Sequence, residues 1–402
     1  MRVANNLYYQ QFVSRTNNQE ANLTRLQDQI SSGKRIRTAA DDPAGAARSV
    51  SIKQALNRFT QFESNAGFAT QRLSLEETAL DSVNDVLQRV REITIAAANT
   101  GSQTPSTFAA FRAEVAQGLD QIIDLANTRD ANGDFLFAGF KATTQPFVRD
   151  GNNQVQYRGD QGQQSLQISA SNQVVVGDSG DDVFNRIREG NGQFSVSLAQ
   201  TNTGTGVIDG GTVVSQTSFV QQDFSITFTG PDTFDIVNTT TSTTILAAQS
   251  YTPGSAIAFN GLETSITGQP AAGDRFDVNA SRNQDIFAIV EQLLTALNNV
   301  PNNPTETALS AQNFSNTLNN LDQAIDNILI TQTNIGARLR TVDSVVAANE
   351  SVSLQLQTTL SSIEDLDYAQ AITEFEFQLF TLEAARSSFS RVEGLSLFDY
   401  LR

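Results

Sequence analysis

The chain contains no cysteine, no histidine and no tryptophan, and a single methionine among 402 residues. Without thiols or imidazoles it can form no disulfide, no thiolate nucleophile, no histidine base and no Cys/His zinc site. Only eight prolines interrupt this length, which leaves room for long continuous helices. Basic residues are also in deficit: 26 Lys and Arg stand against 43 Asp and Glu, a formal charge of -17. A nucleic-acid binder needs a basic face to displace counterions, so this balance argues against that class. No apolar run approaches the ~18 residues of a membrane span. The opening MRVANNLYYQQF lacks the apolar core and small-residue cleavage site of a signal peptide, so a cleaved Sec signal is not expected. Charged residues make up 17% of the chain, below the roughly 25% of ordinary soluble domains. Asn, Gln, Ser and Thr fill the difference, and such a surface suits packing against copies of itself.

What is present is helical periodicity at both ends. Phe12, Leu23, Leu26 and Ile30 fall on a three-four repeat completed by Thr16 and Gln19, a heptad seam with polar gaps. The stretch SSGKRIRTAADDPAG, residues 31–45, then stops one helix and starts another. Gly33 stands where a residue with positive φ closes a helix, and Asp42 with Pro43 supplies an N-cap and a preorganised first turn. Lys34, Arg35 and Arg37 project from the loop between. A second helix is expected over about 44–98, with Ile52, Leu56, Phe59, Ala66, Leu73, Leu80, Val83, Leu87, Val90 and Ala97 on its stripe. That length points to a coiled coil or extended bundle. After GSQTP a third helix, about 106–129, carries Phe108, Phe111, Val115, Leu119, Ile122, Ile123 and Leu125 and folds back on the second.

At DANGD, residues 130–134, the period changes from 3.6 to 2, and FLFAGF, NQVQYRG, SLQIS and NQVVVG read as strands separated by Gly, Asn and Asp turns. A Gly, Thr and Ser-rich stretch over 190–283 adds FSVSLA, TVVSQ, FSITFTG, FDIVN, TTILAA, IAFNG, TSITG and RFDVNA. Helical pattern resumes at Gln284, pauses at PNNP and runs over about 305–362. The last helix, about 367–392, carries Ile372, Phe375, Leu379, Leu382 and Phe389 at heptad spacing. The fold class is therefore α+β multidomain: a long antiparallel helical bundle or coiled coil built from both termini, with a β-hairpin and an inserted all-β outer domain. Residues 1–60 hold nine bases and four acids, whereas 341–402 hold three bases and ten acids, so the two ends should lie side by side.

Candidate chemistry is sparse. Asp130, Asn132 and Asp134 match the start of a calcium loop, which then fails at Phe135 and Lys141, so the segment reads as a turn. Asp178, Asp181 and Asp182 cluster in a second turn. The pairs Asp41/Asp42 and Glu364/Asp365 each sit near a helix start and are explained by capping and the helix dipole. No nucleophile elbow, phosphate loop or dinucleotide fingerprint occurs, and no cofactor is expected. Aromatic clusters remain at LYYQQF, EFEFQLF and LSLFDYL, in segments that are usually disordered unless docked. Burial against another chain is the better account of them, with Leu7, Phe12, Leu23, Leu26, Ile30, Ile372, Phe375, Leu379, Leu382, Phe389, Leu395, Leu397 and Phe398 as the assembly residues.

The order of these elements, with SSGKRIRTAADDPAGAA behind the first helix and IEDLDYAQA before the last, resembles the flagellin superfamily. Gly33, Arg35, Ile36, Asp41, Asp42, Pro43 and Gly45 match its N-terminal motif, and Asp365, Asp367, Tyr368 and Ala369 its C-terminal one. Within that superfamily, ANTRDANGDFLFAGF and VEGLSLFDYL resemble the hook-associated protein 3 family. The resemblance covers roughly 1–170 and 284–402 and implies a non-catalytic axial protein. Its inner domain would be the terminal helices 1–40 and 365–402, its bundle with a β-hairpin 41–170 and 284–364, and its inserted β domain 171–283. It further implies a ring of copies between hook-associated protein 1 and flagellin, and export by the flagellar type III apparatus without a cleaved signal, to an extracellular site on the flagellum. A cytoplasmic export chaperone would mask the C-terminal helix, and the charges of the 31–45 loop would help subunits register. Flagellin itself and a secreted coiled-coil adhesin are the alternative readings.

Overall fold

The computed structural model describes residues 2–99, 104–151 and 154–394. Leu395, Leu397 and Phe398 lie outside the described residues. The chain groups into two compact units, one of residues 1–64 and 344–402, the other of residues 65–343.

In the first unit, helix α1 (Arg2–Ser32) packs antiparallel on α6 (Tyr368–Gly394), the arrangement the charge split predicts. Phe12 stacks on Phe389 with ring centroids 3.8 Å apart, and Arg386 pairs with Glu20. On α1 the heptad holds throughout: Phe12, Thr16, Gln19, Leu23, Leu26 and Ile30 are all partly or fully buried while most of their neighbours are exposed. On α6 it shifts. The face against α1 runs through Ala371, Phe375, Gln378, Leu382, Ala385 and Phe389, whereas Ile372 and Leu379 are exposed. The opening segment of α2 (Pro43–Ala98) and the end of α5 (Pro304–Glu364) complete this unit.

In the second unit, α3 (Pro105–Ala126) folds back on α2. Gly118 stands so close to Val86 and Val90 that an added Cβ would lie 3.3 and 3.5 Å from them, and Arg89 pairs with Glu114 at 2.7 Å. With α4 (Ile286–Asn298) and α5 they enclose an apolar core that includes Leu73, Leu80, Leu87, Phe108, Phe287, Leu293 and Phe314. The stretch FLFAGF is not a strand. Phe135 makes only an isolated bridge to Arg129, and residues 136–140 turn through Gly139 at φ 68° while Phe135, Leu136, Phe137 and Ala138 stay buried. The hairpin lies later, where β1 (Phe147–Arg149) pairs antiparallel with β2 (Val155–Tyr157).

Strands β3 (Ser165–Gln167) and β4 (Gln173–Val175) form a second short hairpin, and β5 (Ile187–Arg188) pairs with the distant β15 (Asn283–Gln284). Between these ends lies a separate β core. A five-stranded antiparallel sheet runs β11 (Thr243–Ser250), β10 (Thr233–Asn238), β9 (Phe224–Gly230), β14 (Arg275–Ala280), β6 (Phe194–Leu198). Facing it, β13 (Leu262–Thr267) pairs with β12 (Ala256–Phe259), β7 (Val207–Ile208) and β8 (Thr212–Val213). Period-two alternation puts Phe224, Ile226, Phe228, Ile236, Phe276 and Val278 inward to meet Phe259 and Ile266. Val183, Phe184 and Ile187, by contrast, pack in the helical core, so the inserted core begins at Phe194.

Candidate functional site

The two sequence motifs, about 330 residues apart, meet in the first unit. Gly33 ends α1 at φ 68°, and its carbonyl accepts the N–H of Leu366 at 3.0 Å. Two residues on, the Arg35 N–H donates to the Glu364 carbonyl at 2.7 Å, closing an antiparallel bridge between Lys34 and Asp365. The Arg35 guanidinium reaches the Ile363 carbonyl at 2.7 Å, satisfying one of the orphan acceptors at the end of α5. A Cβ on Gly33 would sit 2.8 Å from the Tyr368 hydroxyl, so tight approach and positive φ both demand glycine here.

Of the two acids of the motif, Asp42 caps a helix as expected, whereas Asp41 braces the loop before it. Asp42 Oδ1 accepts the Gly45 N–H at 2.9 Å at the head of α2, and Pro43 takes the first helical position. Asp41 Oδ2 accepts the N–H groups of Thr38 and Arg37 at 2.9 and 3.2 Å, and chiefly the first of these holds its carboxyl below the usual range. Gly45 leaves no space for a side chain, because a Cβ would meet Asp42 and the buried Ile36 at 2.5 Å. The bases do more than project. Lys34 pairs with Glu364 at 3.0 Å, Arg35 with Asp42 at 3.7 Å and Arg37 with Asp28 at 2.6 Å.

Glu364 does not cap a helix start. It is the last residue of α5, buried, and accepts from Ser49 at 2.5 Å, from Lys34 and from Lys53. Burial alone would raise its carboxyl, but the hydrogen bonds from Lys53, Ser49 and Lys34 prevail and hold it down to about 2. Because the folded state binds this proton less tightly than the ordinary 4.5, the contribution is present above pH 4.5 and is lost as pH falls toward about 2. Glu364→Gln should therefore cost about 1–2 kcal/mol at pH 7, low in the range for charged hydrogen bonds because both lysines are half-exposed. Urea titrations of wild type and variant should converge between pH 4.5 and 2; a constant difference would refute the assignment. The sequence marks Glu364 only as half of an acid pair, and Lys53 and Ser49 not at all, since their partnership spans more than 310 residues.

The predicted assembly residues divide into two groups. Phe12, Leu23, Leu26, Ile30, Phe375, Leu382 and Phe389 face the α1/α6 seam. Leu7, Ile372 and Leu379 are exposed, as are Tyr8, Tyr9, Tyr368, Phe377 and Phe380, the last two at 65% and 69%. At 100° per residue, Phe377 and Phe380 lie on the side of α6 turned away from that seam.

The acidic turns are filled by the chain itself. Asp130 accepts Asn132 and Asp134 N–H groups and pairs with Arg72 at 2.8 Å, Asp178 is forked by Arg338, and Asp181 and Asp182 pair with Arg186. Among the described residues no group of three or more His, Cys, Asp or Glu is placed to hold a metal, and no helix is long and apolar enough to cross a membrane.

Residues 3–142 match the family model for the bacterial flagellin N-terminal helical region. Over 401 residues, 99% of both chains, the sequence is 25% identical to flagellar hook-associated protein 3 of Escherichia coli. The crystal structure of hook-associated protein 3 from Legionella pneumophila is 33% identical, with a TM-score of 0.74 over 78% of this chain and 98% of that one. FlgL of Xanthomonas campestris is 31% identical, with a TM-score of 0.72 over 77% of this chain and 99% of that one. With the terminal helices paired, the two motifs bridged and these relatives matched almost end to end, the chain belongs to the flagellar hook-associated protein 3 (FlgL) family of flagellin-like structural proteins.

Proposed function

We propose that the chain is the subunit of a ring at the junction of hook and filament, seated between hook-associated protein 1 and flagellin, and that its role is mechanical and not catalytic. The observation that carries this reading is the exposed aromatic side of α6 at Phe377 and Phe380, together with the exposed Leu7, Tyr8 and Tyr9 further along α1. A lone globular protein would not leave so many large apolar side chains in water on its terminal helices. Neighbouring copies and the two adjoining axial proteins are the surfaces that would cover them. In this reading the terminal helices 1–40 and 365–402 form the inner layer. Residues 41–170 and 284–364, with the segment 171–193 that packs on them, form the middle layer, and the β core over 194–280 the outer one. The bridge at Gly33–Arg35 and Glu364–Leu366 ties the end of α1 to the segment before α6, and the charges of the 31–45 loop help neighbouring subunits find register.

Export as an unfolded chain through the flagellar type III apparatus, to an extracellular position on the flagellum, fits the absence of cysteine. A cytoplasmic chaperone would cover the same aromatic side of α6 before export. Immunogold microscopy of intact flagella, with an antibody to residues 194–280, tests the position. A narrow band where hook meets filament is the expected result. Label along the whole filament would make the protein a flagellin, and label on the cell surface alone would make it an adhesin.

A further inference from the structure

The second unit holds a group of five charged side chains, three buried and two partly buried, for which a junction role supplies no reason. Arg72 and Glu76 stand one turn apart on α2, Arg338 comes from α5, Asp130 from the turn after α3 and Asp178 from the segment after β4. Arg72 donates to Asp130 at 2.8 Å, and Asp130 also accepts the N–H groups of Asn132 and Asp134. Arg338 forks onto both oxygens of Asp178 at 2.8 and 2.9 Å, with Gln163 adding a longer bond at 3.4 Å. Each aspartate thus has its own guanidinium, and the four charges cancel.

Glu76 is the fifth group. It is fully buried, its Oε1 accepts the backbone N–H of Asp178 at 3.0 Å, and its Oε2 has no hydrogen-bond partner among the described residues. Ionised, it would place an uncompensated negative charge and a bare oxygen in a dry site beside the Asp178 carboxylate. We propose that Glu76 keeps its proton in the folded chain at neutral pH, and that loss of this proton is a built-in release for the seam joining α2, α5 and the 177–182 turn. Burial first, and then the Asp178 charge, push the carboxyl up to about 8, against weaker opposing pulls from the Asp178 N–H, Arg338 and Arg72. The seam matters because the 177–182 turn leads directly into Phe184, an anchor of the helical core.

The sign follows from linkage. Unfolded, the carboxyl titrates near its ordinary 4.5, so folding takes up a proton between that pH and about 8. Across that window the folding equilibrium constant loses about tenfold per pH unit from this group, and above it the loss stops. In urea titrations of the full chain, the Glu76→Gln variant should lack this decline and overtake the wild type as pH rises toward 8.

Infrared difference titration of the wild-type protein, with carbon-13 glutamate to identify the band, gives a readout independent of how the variant folds. A buried carboxylic-acid carbonyl should persist at pH 7 and disappear toward pH 9. Asp178→Asn should move that midpoint to lower pH, by removing the like charge and freeing Arg338. Absence of a protonated glutamate above about pH 6 in the wild type would overturn the proposal, as would a Glu76→Gln variant with an unchanged pH profile.

Discussion

Replacing Phe377 and Phe380 by aspartate should leave the protein folded with an unchanged melting temperature and yet abolish its incorporation into flagella. Both rings are largely in water in the isolated chain, on the side of α6 turned away from α1, so their loss removes little that stabilises the fold. Surface substitutions of this kind usually stay within about 0.5 kcal/mol. In an assembled ring the same two rings would be covered. Burying each contributes about 2–3 kcal/mol, and two buried aspartates would cost more again. Recovery of the variant with sheared flagella should therefore fall at least about tenfold, and swimming in soft agar should fail. Circular dichroism melting separates this from misfolding. Normal incorporation of a normally folded variant would show that this face stays open in the flagellum, and with it the argument for the junction ring would fall.

Phe184→Ala should have the largest effect on folding. Phe184 is completely buried, edge-on to Phe137 at 5.1 Å and to Phe147 at 5.3 Å, with Phe287 at 6.2 Å. The ring joins four parts of the chain: the buried FLFAGF turn, the hairpin, α4 and its own π-helical turn over Asp181–Asn185. Truncating such a ring costs about 3–5 kcal/mol, because the rigid surroundings cannot close the cavity. In urea the midpoint for this unit should drop by roughly 1–2 M, given a slope of two to three kcal/mol per molar. A drop of a few tenths would mean that α4 and the hairpin can shift into the space.

The misreadings of single elements have definite physical origins. On α6, Ile372 and Leu379 attract a heptad reading because they are apolar, yet Ala371 and Gln378 take the seam. The face that packs is set by the crossing of α1, and apolarity by itself cannot say which side a partner helix approaches. FLFAGF alternates like a strand, but among the described residues no neighbouring strand pairs with it. Its backbone groups instead find scattered partners: the Leu136 N–H donates to Thr128, the Phe135 N–H to Ala142, and the Phe137 carbonyl accepts Gly180. Alternation reports which side chains are buried and is silent on whether a ladder exists. The acid pairs mislead differently. Asp42 caps as local chemistry predicts, whereas Asp41 holds the Arg37 and Thr38 N–H groups of the preceding loop, and Glu364 answers to Lys34 and Lys53, which no local rule connects with it.

The amino-acid sequence alone determined the order and type of most elements, the long helices at both ends, the stop at Gly33 and start at Pro43, and the opposite charge of the two terminal segments. Each of these rests on propensity, period or capping within a few residues, or on simple charge counts. Only the tertiary structure decided that Glu364 sits under two lysines, that Glu76 is left without a counter-charge, and which side of α6 remains open. Those facts depend on desolvation and on distances between residues far apart in the chain, and the energy of a charge or an aromatic ring is set by what surrounds it after folding.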